Sequence, residues 1–199
     1  HAYKRGMSAC GCGLVNPEGK GNGALMRVLP LALWQEDRKK LVQDAHLQCL
    51  ITHGHICNQV CCALYCLGAK ALLDGRNARE AIREAVAGLR EIYRDMPEYE
   101  QELEWSIRPG ASWEGNGTGY VVDCLRSAFM ILERTSDYEE AVKQAVLLGN
   151  DTDTTACVTG GLAGILYGFR GIPETWFSGL REREKAAKLL ERLLSEKGI

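Results

Sequence analysis

The chain has 199 residues, of which 46% are hydrophobic, so it can build one domain with a substantial core. Its formal net charge is −2 at pH 7 and no block of like charge stands out, which argues against nonspecific nucleic-acid binding. The longest uncharged apolar stretch, residues 154–169, is shorter than the roughly 20 residues of a membrane span, and no leader-like apolar run follows the first residues. We therefore expect a single domain over residues 1–199 that binds neither nucleic acid nor membranes.

The sequence contains nine cysteines, an odd number. Several of them fall within one apolar helical stretch: Cys57, Cys61, Cys62 and Cys66. Reduced cysteines packed as small hydrophobes are the simplest interpretation, and they predict a cytoplasmic protein. The alternative is a zinc site, although its ligand spacings match no standard finger. Its candidate ligands are Cys10, Cys12, His53, His55 and Cys57.

Helical periodicity is clear from residue 55 onwards. Residues 55–69 form a stretch without formally charged side chains, and a helix that is apolar all round belongs in the centre of a bundle. Over residues 78–93 the apolar side chains repeat at three and four positions, which predicts an amphipathic helix. Asn77 and Glu80 have the spacing of a capping box at the start of that helix.

Further helices are predicted over residues 120–133 and after Ser136, which forms a capping box with Glu139. Residues 154–169 are again uncharged, and we expect this helix to be the most buried one. Glycines within a helix cost about 1 kcal/mol each against alanine, so close packing or a close ligand should offset them. The glycines that share one face of this helix are Gly160, Gly164 and Gly168.

The remaining predictions concern a helix at the end of the chain and a loop in its middle. The charged tail from Gly179 to Lys197 should be a surface helix that closes the domain. Residues 97–119 are the least regular stretch and could form a long functional loop. No alternation of period two is long enough for a sheet. The fold class is therefore all-α, a compact multi-helix bundle.

Three short polar loops, rich in glycine and asparagine, each precede a predicted helix. The first loop is residues 19–23 (GKGNG), the second is residues 115–119 (GNGTG) and the third is residues 149–153 (GNDTD). Glycine lets the backbone approach a ligand closely, and a helix start offers unpaired N–H groups. Together the loops indicate a polar pocket at one end of the bundle.

The third loop carries two aspartates, Asp151 and Asp153. Two unit charges about 4 Å apart repel by about 4 kcal/mol at an effective dielectric constant of about 20, so the pair favours a cation or a proton. Oxygen ligands select a hard metal such as Mg²⁺, Mn²⁺ or Ca²⁺, and the spacing excludes an EF-hand. The alternative is that one aspartate caps the following helix. Spacing alone leaves both interpretations open.

Other polar residues stand out less strongly. His53 precedes an uncharged helix and is either a ligand contact or a loop residue. Arg27 lies in an apolar segment, where it needs an anion or carbonyl partner unless its side chain reaches solvent. Asp123 and Arg126 lie close on one predicted helix and could simply pair with each other.

Four segments, in this order along the chain, resemble the ADP-ribosylglycohydrolase family. This family includes the enzyme that reactivates dinitrogenase reductase and the ADP-ribosyl-arginine and ADP-ribosyl-serine hydrolases. The segments are residues 21–27 (GNGALMR), 52–53 (TH), 117–123 (GTGYVVD) and 149–156 (GNDTDTTA). The last segment is the most specific, and the resemblance covers nearly the whole chain.

The resemblance implies an all-α domain with a two-metal site, for Mg²⁺ or Mn²⁺, and an ADP-ribose cleft at one end of the bundle. It implies that Asp151 and Asp153 are catalytic and that the metal ligands are Asp151, Asp153 and Thr154. The residues that it implies as substrate-binding are Gly21, Asn22, Gly23, His53, Gly149 and Asn150.

The family pattern also includes an amino-terminal segment with a Thr-Asp-Asp motif and an acidic residue important to catalysis, and this sequence has no Thr-Asp-Asp. We therefore expect an incomplete metal site and little hydrolysis by these residues alone. Without metal, one of the two close aspartates should take up a proton more readily than a free carboxyl does.

The function implied by the resemblance is metal-dependent hydrolysis of the N- or O-glycosidic bond of ADP-ribosylated proteins or small molecules, with release of ADP-ribose. The alternatives are a catalytically incomplete ADP-ribose-binding module and a structural protein of the same fold. We expect a monomer whose partner is an ADP-ribosylated protein or an ADP-ribose-type small molecule.

Overall fold

The computed structural model describes residues 6–198, which fold into helices joined by loops. The helices are α1 (Pro30–Trp34), α2 (Arg38–Leu50), α3 (Ile56–Leu73), α4 (Ala78–Tyr93), α5 (Pro97–Gln101), α6 (Val121–Arg134), α7 (Tyr138–Leu147), α8 (Thr152–Tyr167), α9 (Glu174–Gly179) and α10 (Arg183–Lys197). A π-helical segment, Glu102–Ile107, continues α5. No strand forms within residues 6–198, where isolated bridges join Leu14 to His53 and Gly21 to Tyr120. The all-α fold class is confirmed.

Helix α3 is the centre of the bundle and packs against α2, α4, α6 and α8. By length and a mean hydropathy of 1.5 it could cross a membrane, but 83% of it is buried inside the fold, as in the core helix of a bundle. The prediction that residues 154–169 form the most buried helix is therefore wrong. Helix α8 keeps one face at the surface, where Asp153 and Cys157 are exposed, whereas α3 is covered on every side.

The cysteines behave as the simplest interpretation predicts. All nine are free thiols, and six of them are buried: Cys49, Cys57, Cys61, Cys62, Cys66 and Cys124. Burial raises the pKa of the Cys61 and Cys62 thiols well above its usual value. The zinc alternative is not supported, since no three His, Cys, Asp or Glu side chains converge as a metal-ligand group within residues 6–198.

The predicted helix starts are right at α4 and displaced at α7. At α4, Asn77 and Glu80 make both hydrogen bonds of the predicted capping box. At α7 the N-cap is Asp137 rather than Ser136, and its Oδ1 accepts a hydrogen bond from the Glu140 N–H at 2.7 Å. The carboxylate of Asp137 is a stronger acceptor than a serine hydroxyl, so the helix begins one residue later than predicted.

Close packing does not require the glycines on this face of α8, contrary to expectation, because a Cβ at Gly160 or Gly164 would make only ordinary van der Waals contacts. A Cβ built at Gly160 would lie 3.4 Å from the hydroxyl of Tyr138, and one at Gly164 would lie 3.8 Å from the ring of the same tyrosine. Helix α7 therefore rests against this part of α8. Gly168 has a different role, because it ends the helix with a φ of 76°.

Arg126 organises the chain between the π-helical segment and α6. It is 7% exposed, and it donates to the carbonyl oxygens of Ile107 at 2.6 Å and Glu114 at 3.1 Å. It does not pair with Asp123, whose carboxylate instead accepts from backbone N–H groups of the second loop, at 2.7 Å from Thr118 N. The pairing that the sequence left possible is not made, because backbone partners satisfy both residues.

No residue of helix α10 is buried. Its Lys197 pairs with Glu36 at 3.0 Å and lies 5.4 Å from the ring centroid of Trp34. A surface helix was predicted and is confirmed. It does not close the domain as expected, because Leu189 and Leu190 on its apolar side remain 70% and 51% exposed.

Candidate functional site

The three polar loops contact one another despite their separation in sequence. The Asn22 N–H donates to the Gly119 carbonyl oxygen at 3.0 Å, which joins the first loop to the second. The Asp151 N–H donates to the Gly117 carbonyl oxygen at 2.9 Å, which joins the second loop to the third. Backbone of all three loops therefore forms one continuous surface.

Glycine is required where the second and third loops meet. A Cβ at Gly117 would lie 2.9 Å from the Cβ of Leu148, and Gly117 has a φ of 68°. Gly149 and Asn150 are both left-handed, with φ values of 74° and 57°, and they turn the chain from α7 into α8. The Asn150 side chain donates to the Asn116 carbonyl oxygen at 3.0 Å, which fixes this turn against the second loop.

Asn22 connects the first loop directly to the acidic third loop. Its Nδ2 donates to Asp151 Oδ2 at 2.8 Å. This hydrogen bond is the main reason why the pKa of Asp151 is lowered from its usual value, so the side chain is a carboxylate. The expectation of easier protonation is wrong for Asp151. Asp151 stands at the N-cap position of α8, but its side chain makes no capping hydrogen bond within the described residues 6–198.

The residues proposed as metal ligands lie side by side at the start of α8. Asp153 is exposed and Thr154 is 8% exposed, and both lie within three residues of Asp151 in the sequence. Carboxylate and hydroxyl oxygens are the donors that hard divalent cations prefer. The donor set therefore fits Mg²⁺ or Mn²⁺, although it supplies only part of the near-octahedral shell that Mg²⁺ demands.

His53 lies against the first loop. A Cβ built at Gly23 would lie 3.0 Å from His53 Cε1 and 3.4 Å from its Nε2, so glycine makes room for the ring. On the other side of the ring, Nδ1 is 2.7 Å from Thr52 Oγ1. Burial of the ring, followed by the charge of Arg27, lowers the pKa of His53. The imidazole is therefore neutral at pH 7.

Arg27 is exposed, so its side chain reaches solvent as one alternative held, and its guanidinium also has carbonyl partners. Its Nη1 donates to the Gly23 carbonyl oxygen at 3.1 Å, and its Nη2 donates to the Gln48 carbonyl oxygen at 3.1 Å. The same Nη2 donates to Thr52 Oγ1 at 2.7 Å. The guanidinium thus ties the first loop to the end of α2 and to the residues next to His53.

A cavity of about 490 Å³ begins beside His53, at Gly54. Its wall includes Trp105, which is 78% exposed. Glu102 also lines it, and Glu102 Oε2 is buried without a hydrogen-bond partner within residues 6–198. The exposed aromatic face of Trp105 suits stacking with a planar ring.

All the site residues inferred from the sequence lie on the three loops or beside them. The sequence reasoning missed Trp105 and Glu102, and it gave Thr52 no role of its own. The sequence did contain a signal for Trp105: a tryptophan in a charged stretch without apolar periodicity is not expected to pack into the core. No local sequence pattern marks the Thr52 hydroxyl, because its contact with Arg27 forms only in the folded structure.

The family model for ADP-ribosylglycohydrolase matches residues 1–198, and the chain belongs to this family. ADP-ribosylarginine hydrolase Tri1 of Serratia proteamaculans is 28% identical over 184 residues, which cover 91% of this chain and 48% of the relative. ADP-ribosyl-[dinitrogen reductase] glycohydrolase of Rhodospirillum rubrum is 29% identical over 182 residues, 90% of this chain and 58% of the relative. The chain thus spans about half the length of the curated relatives it matches.

A structural comparison agrees with the sequence comparison. A solved structure described as an ADP-ribosylglycohydrolase-related protein complex superposes with a TM-score of 0.74 and 28% identity. The superposition covers 96% of this chain and 69% of that chain. The chain therefore shares the overall fold of that structure.

Proposed function

We propose that the protein hydrolyses the glycosidic bond that joins ADP-ribose to a modified side chain or small molecule, and so releases ADP-ribose. The observation that carries the proposal is the hydrogen bond between Asn22 and Asp151. It brings a glycine loop suited to phosphate and a carboxylate loop suited to a divalent cation into one site. The names of the relatives, an ADP-ribosylarginine hydrolase and a dinitrogen reductase glycohydrolase, support this substrate class.

The loops and the cavity would hold different parts of ADP-ribose. Backbone N–H groups of the first and third loops suit the diphosphate, because glycines let it approach closely. The cavity beside His53 suits the adenine, with Trp105 offering a face for stacking. Gly54 of the cavity wall is the chain neighbour of His53, and this is why we assign the cavity to the same ligand.

Asp151, Asp153 and Thr154 are the proposed ligands of a two-metal site that uses Mg²⁺ or Mn²⁺. When bound, the cations would polarise the glycosidic bond and orient water and the ribose hydroxyls. Asn22 holds the Asp151 carboxylate charged and fixed in place. Cleavage at the anomeric carbon builds positive charge on the ribose ring, and fixed carboxylates nearby stabilise such charge.

The test is release of ADP-ribose from arginine-linked and serine-linked substrates with Mg²⁺ or Mn²⁺ present. In a form of the protein that turns over, Asp151→Ala or Asp153→Ala should lower turnover at least about a hundred-fold. The fold should survive, because removing one of two neighbouring acids relieves their repulsion. Asp95→Ala removes an exposed acid outside the site and is the matched control. Unchanged turnover in either site variant would refute the metal assignment.

A catalytically incomplete ADP-ribose-binding module is the second candidate, because three ligands complete no octahedral shell. Residues 1–199 alone should then bind divalent metal weakly and hydrolyse little. Adding a segment with the Thr-Asp-Asp motif should raise turnover if the protein is the proposed hydrolase, and should not if it is a binding module. Full metal-dependent turnover by residues 1–199 alone would contradict the incomplete shell. Binding of ADP-ribose without turnover in both forms would favour the binding module, and failure to bind would favour a structural protein.

We further propose that the protein acts in the cytoplasm as a monomer. Nine free thiols suit a reducing compartment, and most of them are buried where oxidation would require the fold to open. Sedimentation equilibrium of the purified protein tests the monomer, and concentration-dependent association would contradict it.

A further inference from the structure

We propose that Arg27 and Thr52 are positioning residues that hold His53 in the neutral tautomer with its proton on Nε2, so that Nε2–H donates a hydrogen bond to the bound ligand. This inference rests on the proposed ADP-ribose site and deepens it. It assigns His53 the role of a hydrogen-bond donor rather than a general base. It also assigns a role to Arg27 and Thr52, which lie on the Nδ1 side of the ring.

The first step is the contact between Arg27 and Thr52. Arg27 Nη2 lies 2.7 Å from Thr52 Oγ1. A guanidinium can only donate, so the threonine oxygen is the acceptor in this contact. The guanidinium is itself fixed, because Nε donates to the side-chain oxygen of Gln48 at 3.1 Å and Nη1 donates to the Gly23 carbonyl oxygen at 3.1 Å. The direction of the hydrogen bond is therefore settled by Arg27.

The second step is the contact between Thr52 and His53. Thr52 Oγ1 lies 2.7 Å from His53 Nδ1. Thr52 Oγ1 has a second lone pair, so Arg27 does not fix the direction by occupancy alone; its positive charge does, because it favours a lone pair rather than an N–H on the nearby Nδ1. The hydroxyl proton of Thr52 is then donated to Nδ1. A neutral imidazole that accepts at Nδ1 carries its proton on Nε2. The relay from Arg27 through Thr52 thus selects one tautomer.

The third step is the position of Nε2. A Cβ built at Gly21 would lie 3.6 Å from Nε2, and one at Gly23 would lie 3.4 Å from it, so Nε2 faces the first loop. Asn22 of that loop holds Asp151. An Nε2–H group at this position is a donor beside the loop that is proposed to hold an anion. The matching ligand atom is an oxygen acceptor, from a phosphate or from a ribose hydroxyl.

Two features keep His53 a donor. Burial of the ring and the nearby charge of Arg27 both disfavour the imidazolium form. A neutral ring whose Nδ1 is engaged by Thr52 has no free lone pair to act as a base, because its only other nitrogen carries the proton. A histidine held in this way binds and orients the ligand, and does not remove a proton from it.

The direct test is a long-range ¹H–¹⁵N NMR spectrum of the ¹⁵N-labelled protein at pH 7.5, without any ligand. The His53 signals are identified by their loss in His53→Gln. We expect the shift of a protonated nitrogen at Nε2 and of an unprotonated nitrogen at Nδ1. A proton on Nδ1 in the wild-type protein would overturn the proposal. Since this spectrum needs no substrate, its result is independent of the proposed function.

The matched variants are Thr52→Val, which removes the hydroxyl at nearly constant shape, and Thr52→Ser, which keeps it. Thr52→Val should populate both His53 tautomers and weaken binding of ADP-ribose about ten-fold, as for the loss of one oriented hydrogen bond to a charged group. Thr52→Ser should restore both readouts. Thr175→Val is the control, because Thr175 is exposed and far from the relay in sequence.

The outcomes separate this inference from the proposed function. An unchanged His53 tautomer in Thr52→Val would overturn the relay, whatever the affinity for ADP-ribose. The expected tautomer shift together with no ADP-ribose binding by the wild-type protein would refute the proposed function and leave the relay standing. Equal affinities of the wild-type protein and Thr52→Val for ADP-ribose would show that Nε2–H does not contact the ligand.

Discussion

Gly23 is the residue on which the position of the His53 ring depends most directly. A Cβ at this position would lie 3.0 Å from His53 Cε1, tighter than an ordinary van der Waals contact. Gly23→Ala should therefore push the ring away from the first loop and weaken ADP-ribose binding about ten-fold, measured by calorimetric titration. Equal affinities for the wild-type protein and Gly23→Ala would show that the ring position does not affect binding.

Gly88→Ala is the control for this substitution. Gly88 lies within α4, and a Cβ there would meet only the Leu67 side chain at 4.0 Å. The alanine should stabilise the helix by about 0.5–1 kcal/mol, because a glycine inside a helix is less favourable than alanine. Its affinity for ADP-ribose should equal that of the wild-type protein.

His46 makes stability depend on pH. Its ring stacks on Tyr99 with centroids 4.9 Å apart, and its Nε2 lies 2.7 Å from the Tyr93 hydroxyl. Burial lowers the pKa of His46 from 6.5 to about 4. The folded state therefore prefers the neutral ring. The contribution of neutral His46 to the free energy of unfolding is complete above pH 6.5 and is lost as the pH falls towards 4. The loss should amount to about 1–3 kcal/mol.

The measurement is the free energy of unfolding by urea between pH 7.5 and pH 4. His46→Phe keeps an aromatic ring in the stack but removes the titrating group, so its stability should fall less steeply with acid than that of the wild-type protein. The acidic residues titrate alike in both proteins, so the difference between the two curves reports His46. Parallel curves would contradict the assignment.

At the scale of a helix, two glycines of α8 should respond to alanine in opposite ways. A Cβ at Gly161 would lie 2.8 Å from both the Leu29 side chain and the Tyr65 hydroxyl. Tyr65 cannot yield easily, because it is buried and its hydroxyl donates to the Val158 carbonyl oxygen at 2.9 Å. Gly161→Ala should lower the free energy of unfolding by about 1–3 kcal/mol.

Gly164 provides the matched comparison on the same helix. A Cβ there would meet the ring of Tyr138 at 3.8 Å, an ordinary contact, so Gly164→Ala should be neutral or stabilise by up to about 1 kcal/mol. Thermal unfolding of both variants measures the difference. If both alanines lower the midpoint equally, helix propensity and local space do not explain why α8 contains these glycines.

Helix positions could be read from the sequence, but the relative burial of the helices could not. The uncharged stretches that became α3 and α8 are similar in composition, and periodicity carries no information about how many neighbours cover a helix. Asp153 lies in the first turn of α8 and is exposed, so this end of the helix faces the candidate site rather than the core. At α7 the carboxylate of Asp137 displaced a serine cap, a competition between adjacent acceptors that spacing alone does not resolve.

At the scale of the whole molecule, the sequence indicated which loops matter but not how they are joined. The glycines and aspartates were visible as motifs, whereas the Asn22–Asp151 hydrogen bond joins residues 129 positions apart. The same applies to Arg27, whose contacts with Thr52 exist only because the end of α2 returns to the first loop. Contacts of this kind depend on the packing of several helices, and no local pattern encodes them.

The most direct test of one ADP-ribose site built from three loops is hydrogen–deuterium exchange with saturating ADP-ribose and Mg²⁺. Exchange should slow in residues 19–23, 115–119 and 149–153 together, because their backbone groups lie around one site. Helix α10, which is exposed and outside the site, should exchange at an unchanged rate. Protection of only one loop, or protection elsewhere in the chain with all three loops unaffected, would contradict the account.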